Sequence, residues 1–141
     1  MDLANADVYF DESLKRLSSH TVESRSVSAL LKWKDTFQAS SSSLNFTDAV
    51  TMRFRIDSQD AWVFTPPIVD EVLLQADFEM GLPRCDNRLA AIFRSAGYNV
   101  HNPALFVRAI EYHTRSRNSG IYSMKGSVSG EGANVFLSAE P

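Results

Sequence analysis

The chain has 141 residues, 44 % of them hydrophobic, with 14 basic and 17 acidic side chains and a formal net charge of −3. That length suits one domain with a real core, and the composition excludes a disordered chain. The weak acidic balance offers no broad positive field for counterion release, so no nucleic-acid partner is expected. The single cysteine, Cys85, excludes an intrachain disulfide and a cysteine-rich zinc site, and is expected to be a small, partly buried apolar side chain. No apolar run nears the roughly 18 residues of a membrane span. Met1-Asp2-Leu3-Ala4-Asn5 has neither the basic region nor the apolar core of a signal peptide, so the expected location is cytoplasmic as written.

Leu3 and Ala4 have the character of a strand end, and Asn5-Ala6-Asp7 follows at once. Asp11 is placed to N-cap a short helix through Leu17, with Leu14 and Leu17 on one face. Val27, Ala29, Leu31 and Trp33 alternate with Ser28, Leu30 and Lys32, which predicts a strand. Ala39 to Ser43 holds four serines and predicts a flexible loop. Val50, Met52, Phe54 and Ile56 alternate with Thr51, Arg53 and Arg55, a cleaner strand signal. Asp57-Ser58-Gln59-Asp60 is a turn, and Ala61 to Phe64 a short apolar strand stopped by Pro66-Pro67. Ile68 to Ala76 has helical spacing through Val69, Val72 and Leu73.

Asp86 is expected to cap a helix running to about Ala96, with a buried stripe of Leu89, Ile92 and Phe93 and Gly97 as the residue after it. Tyr98 to Val100 and Leu105 to Tyr112 are expected to be extended. Residues 118–141, rich in Ser, Gly and Asn, are expected to form a flexible tail. Helices alternating with strands, some in hairpin-like pairs, predict an α/β fold: a mixed sheet with flanking helices. Neither G-x-G-x-x-G nor a P-loop occurs.

Several side chains are candidates for chemistry, each with a plainer alternative. Asp7, just past a strand end, is placed to hold a hard divalent cation, or simply to form an Asx turn; Asp11 is the simpler cap. Asp86 at a helix start is either a cap stabilised by free N–H groups or, if desolvated and facing a substrate, a general base. His113, after Glu111-Tyr112, offers an imidazole to a transition metal, or is a hydrogen-bonded histidine at a strand end. In Ser58-Gln59-Asp60-Ala61-Trp62, the indole beside polar groups suits a sugar, or Trp62 belongs to the core. Arg115 and Arg117 offer cations to a phosphate or lie on a solvated edge. His20 and His101 are expected at the surface.

In this order, the pieces resemble the later part of a nucleotide-sugar-dependent glycosyltransferase with the GT-A fold, of the family 2 type. Asn5-Ala6-Asp7-Val8-Tyr9-Phe10-Asp11 is similar to the strand-end acidic motif of that family. Ser58-Gln59-Asp60-Ala61-Trp62-Val63-Phe64 is similar to its central segment. Cys85-Asp86-Asn87, Gly97-Tyr98, Asn102-Pro103 and His113 are similar to its late acidic helix start and its C-terminal histidine.

The resemblance covers residues 1–117 as a partial domain and implies roles. Asp7 and Asn5 would hold the sugar diphosphate, Asp7 and His113 would bind Mn²⁺ or Mg²⁺, and Asp86 would deprotonate an acceptor hydroxyl. Asp60, Trp62 and Asn87 would shape the sugar pocket. The partners would be a nucleotide-sugar donor and a glycan or other hydroxyl acceptor. The motif departs from the family in carrying Asn5 where a first acid could stand, and Asp86-Asn87 where Glu-Asp is common. The nucleotide-binding half that precedes such a motif is not in this sequence. The resemblance therefore implies a C-terminal portion, weakly active or inactive alone and prone to self-association through exposed sheet edges. The alternative is a non-catalytic carbohydrate- or partner-binding module derived from such an enzyme.

Overall fold

A computed structural model describes residues 2–4, 7–19, 25–35, 50–52, 55–111 and 126–139. The elements in chain order are β1 (Asp2–Ala4), β2 (Val8–Phe10), a 3₁₀ helix (Glu12–Ser19), β3 (Ser26–Leu30), β4 (Lys32–Asp35), β5 (Val50–Met52), β6 (Ala61–Phe64), α1 (Asp70–Gln75), α2 (Cys85–Ser95), β7 (Asn99–His101) and β8 (Ala109–Glu111). They build an α/β fold with two mixed four-stranded sheets, ordered β1-β6-β3-β7 and β2-β8-β4-β5.

The two sheets share one run of chain. β3 and β4 are separated only by Leu31, yet β3 pairs with β6 and β7 while β4 pairs with β5 and β8. The single strand expected from Val27 to Trp33 is therefore two strands that change sheets at Leu31. The expected in-out alternation also fails in β3, where every residue is buried. Both faces are covered: Val27 and Ala29 belong to one apolar cluster, Leu30 to another. The first cluster joins Trp62 and Phe64 of β6 to Val72 of α1 and to Leu89, Ile92 and Phe93 of α2. The second joins Leu30 and Ala61 to Leu17, Val107 and Ala109.

Asn102 holds the sheet change. Its side-chain oxygen accepts the N–H of Leu31 at 3.3 Å and that of Ala104 at 3.2 Å. A buried N–H without an acceptor carries the full cost of its desolvation. Asn102→Ala is expected to lower stability by about 1–3 kcal/mol, seen as a lower urea midpoint with an unchanged slope.

The expected helix signals are present at Asp11 and Gly97, while Asp86 differs. Asp11 accepts the Ser13 N–H at 2.9 Å, the capping role expected of it. Gly97, at φ +80°, ends α2. Its N–H reaches the Arg94 carbonyl at 3.0 Å and the Tyr98 N–H reaches that of Phe93 at 3.0 Å. This double bond pattern is a Schellman stop, and the Phe93 and Tyr98 rings meet edge to face at 5.2 Å across it. Asp86, however, does not cap α2. The residue before the helix is Arg84, at φ 70° with no side-chain cap, and Asp86 lies inside the first turn.

Of the strand expected from Val50 to Ile56, β5 takes up Val50–Met52. Arg53 and Phe54 lie outside the described residues, and Arg55 has left the sheet to pair with Asp57 at 2.8 Å. Of the tail expected to be flexible, residues 126–139 lie along α2 as a strap. The Ala133 N–H reaches the Asn87 carbonyl at 2.9 Å, that of Val135 reaches the Ile56 carbonyl at 2.9 Å, and Val135 is only 1 % exposed. Backbone hydrogen bonds, which composition does not reveal, hold this segment in place.

Candidate functional site

The site forms where three segments meet: the sheet change at Leu31, the stretch 55–60 leading into β6, and the first turn of α2. The Asp60 N–H donates to the Leu30 carbonyl at 2.9 Å, so the stretch before β6 is tied to the end of β3. Lys32, at the start of β4, extends its ammonium between two buried carboxylates. Nζ lies 3.2 Å from Asp60 and 2.5 Å from Glu111 at the end of β8. Burial alone would lower the Lys32 pKa. The hydrogen bond to Glu111, then the charges of Asp60 and Glu111, outweigh that and raise it above its ordinary value.

Asp86 stands against the same stretch. Its carboxylate takes the Gln59 N–H and the Cys85 thiol, the latter at 3.3 Å. Burial pushes its pKa up from 3.8 to about 6, against the lowering effect of the thiol. The charge of Asp60 pushes it further up, while the Gln59 N–H and the charge of Lys32 pull it down. The Cys85 thiol is pushed up to about 11, by burial and then by the Asp86 charge, which leaves it protonated and unreactive. At the exposed rim, the Asp57 hydrogen bond leads in raising the Arg55 pKa, and the charges of Asp60 and Asp86 add to it.

Asp60 and Asp86, far apart in the chain, are brought close enough for the charge of Asp60 to raise the pKa of Asp86. The other proposed positions are distributed differently. Asn87 turns to the strap: its Nδ2 donates to the Ala133 carbonyl at 3.2 Å and to Asn134 Oδ1 at 3.3 Å. Trp62 is 1 % exposed, with its ring 6.0 Å from that of Phe93. Of its two readings the core one holds, because the apolar faces of β6 and α2 close over the indole and leave no face for a sugar.

Asp7 is half-buried, one residue before β2. Val8 pairs with Glu111, so Asp7 adjoins the end of the strand that bears the Lys32–Glu111 ion pair. Asn5, His113, Arg115, Arg117 and His20 lie outside the described residues. His101 is not a bare surface histidine; its Nε2 is 3.0 Å from Ser28 Oγ and its Nδ1 3.5 Å from Ser26 Oγ.

Sequence reasoning missed Lys32, Glu111 and Gln59. A signal for the two ions was present. Lys32 stands between Leu31 and Trp33, and Glu111 after Ala109-Ile110, each a charge inside an apolar strand pattern. Such charges are buried only when paired. Gln59 acts through its backbone N–H, which no side-chain pattern announces.

Comparison with protein-family models, with curated proteins and with solved structures gave no significant match to this chain. Function therefore rests on the site. Among the described residues no helix is long and apolar enough to cross a membrane, and no three His, Cys, Asp or Glu side chains cluster as a metal site. As a donor set, a carboxylate at Asp7 with an imidazole at His113 suits Mn²⁺ chemically. The pairing of β2 with β8 brings Asp7 to the strand that precedes His113 in the chain.

Proposed function

We propose that this chain is the acceptor-side portion of a GT-A-type glycosyltransferase, which moves a sugar from a nucleotide-sugar donor to a hydroxyl acceptor. Asp86 is the base. The observation that carries this reading is a carboxylate held near pKa 6 in the first turn of a helix, with a second carboxylate, Asp60, acting on it. General bases work best when their pKa lies near the working pH, and a carboxylate reaches that range only through desolvation or a neighbouring like charge. Both are present at Asp86. An ordinary cap would instead have its pKa lowered by the N–H groups it accepts.

In the proposed reaction Asp86 takes the proton of the acceptor hydroxyl as its oxygen attacks the anomeric carbon from the face opposite the leaving diphosphate, which inverts the configuration. Asp60, fixed by Lys32, orients the acceptor from across the site. Asp7 and His113 would hold Mn²⁺ or Mg²⁺, which would supply charge neutralisation for the departing diphosphate.

The test is donor hydrolysis and transfer across a panel of nucleotide sugars with Mn²⁺, under single-turnover conditions that detect a weak activity. Asp86→Asn is expected to lower the rate about 10²- to 10⁴-fold without weakening donor binding. The acid limb of the wild-type pH profile is expected near 6, the value set by the burial of Asp86. Equal rates for wild type and Asp86→Asn would remove Asp86 as the base.

A further inference from the structure

We infer that Lys32 is a positioning residue for acceptor activation: its ammonium locks Asp60 and Glu111 together across the sheet change and so sets where Asp60 stands relative to Asp86. The inference deepens the reading of Asp86 as the base and rests on it. The geometry is a chain of contacts across both sheets. Lys32 Nζ meets Glu111 on β8 at 2.5 Å and Asp60 before β6 at 3.2 Å. The Asp60 N–H is fixed to Leu30 at 2.9 Å, and the neighbouring Gln59 N–H goes to the Asp86 carboxylate. One side chain on β4 thereby determines the placement of the stretch that faces the base.

A lysine used only to hold sheets together could be replaced by a neutral hydrogen-bonding side chain without effect on Asp86. Lys32 differs, because it holds Asp60 at 3.2 Å beside the residue whose N–H meets Asp86, and its charge opposes that of Asp60 there. Among the described residues, the charged and titratable groups that act on Asp86 are Cys85 on its own helix, Asp60 before β6 and Lys32 on β4, with Arg55 at the rim; Lys32 is itself paired with Glu111 on β8. Removing the ammonium leaves a surplus of negative charge, which disfavours the ionised form of Asp86.

The experiment follows the Asp86 side-chain carboxyl by carbon NMR titration in the full 141-residue chain, beside the pH profile of single-turnover donor consumption. Lys32→Gln keeps a hydrogen-bonding group and removes the charge. The Asp86 midpoint is expected to rise, and the acid limb of the rate profile to rise with it. Lys32→Arg, which restores the charge, is expected to return both. A folded Lys32→Gln protein with an unmoved Asp86 midpoint overturns the inference, as does a failure of Lys32→Arg to restore it.

Asp60→Asn leaves the Lys32–Glu111 pair in place and moves Asp86 the opposite way, to a lower midpoint. If Lys32→Gln does not fold, this variant decides: a fall supports the coupling, and no change overturns it. A midpoint that moves while the rate profile stays still would leave the coupling standing and remove Asp86 from the chemistry. The two failures are thus distinct.

Discussion

Trp62→Ala is expected to destabilise the fold by about 3–5 kcal/mol, the range for truncating a large aromatic in a core. Trp62 is 1 % exposed and stacks on Phe93 at 6.0 Å, and Phe93 in turn touches Phe64 at 6.1 Å and Tyr98 at 5.2 Å. Removing the indole opens a void at the centre of the cluster that joins β6 to α2, and the close-packed neighbours relax only partly into it. A loss of that size is a large share of a typical domain's total stability of about 5–15 kcal/mol, so much of the protein would be unfolded at 37 °C. Trp62→Phe is expected to lose less. It keeps a ring against Phe93 and removes an indole N–H that has no partner among the described residues. Urea unfolding followed by circular dichroism measures both. A sugar-stacking tryptophan at the surface would behave otherwise, with a stability loss within about 0.5 kcal/mol and the effect appearing in glycan binding. Such a result would return Trp62 to the binding surface.

The residues that were legible in the sequence share a property: their role is local. Gly97 announces the end of α2 because only a residue free to take positive φ suits that stop, and the stripe of Leu89, Ile92 and Phe93 announces the buried face. Asp11 announces a cap, and one is found. What failed was non-local. The break at Leu31 depends on Asn102 and on two sheets competing for one run of chain, and neither leaves a mark in the alternation of Val27 to Trp33. Asp86 was expected as a cap because Asp commonly caps. Arg84 takes the left-handed turn instead, at φ 70°, which shifts the helix start and frees the carboxylate to face Gln59. The strap has a composition typical of loops. It is held by arginine side chains at the two ends of α2: Arg84, just before it, reaches the Gly130 carbonyl at 3.0 Å, and Arg94, in its last turn, that of Asn134 at 2.9 Å. The candidate site was therefore half visible. Asp60 and Asp86 could be singled out as acids, but not the ion pair that joins one of them to the sheet change.

Asp86→Asn is expected to stabilise the protein at neutral and higher pH by about 2–3 kcal/mol, while abolishing most of the proposed activity. The sign follows from linkage. The carboxyl titrates near 6 in the folded chain and near 3.8 when unperturbed. Below about 4 it is protonated in both states and contributes nothing. Between about 4 and 6 the folded state holds the proton more tightly, so stability falls as pH rises, and above about 6 the full cost of a buried, repelled charge is present. Asparagine mimics the protonated form and can still accept the Gln59 N–H, so the advantage of the variant is absent near pH 4 and constant above about 6. Urea midpoints of the two proteins across this range measure it. A capping carboxylate gives the reverse: its folded pKa is depressed, and replacement by a neutral side chain lowers stability at neutral pH. Loss of stability in Asp86→Asn would thus restore the capping role and remove the base. A gain in stability with a loss of turnover is the signature of a group held in an unfavourable state because the chemistry requires it. The carboxylate where the stretch before β6 meets the start of α2 is raised in energy by its own surroundings, and the proposed proton transfer is what such a cost would serve.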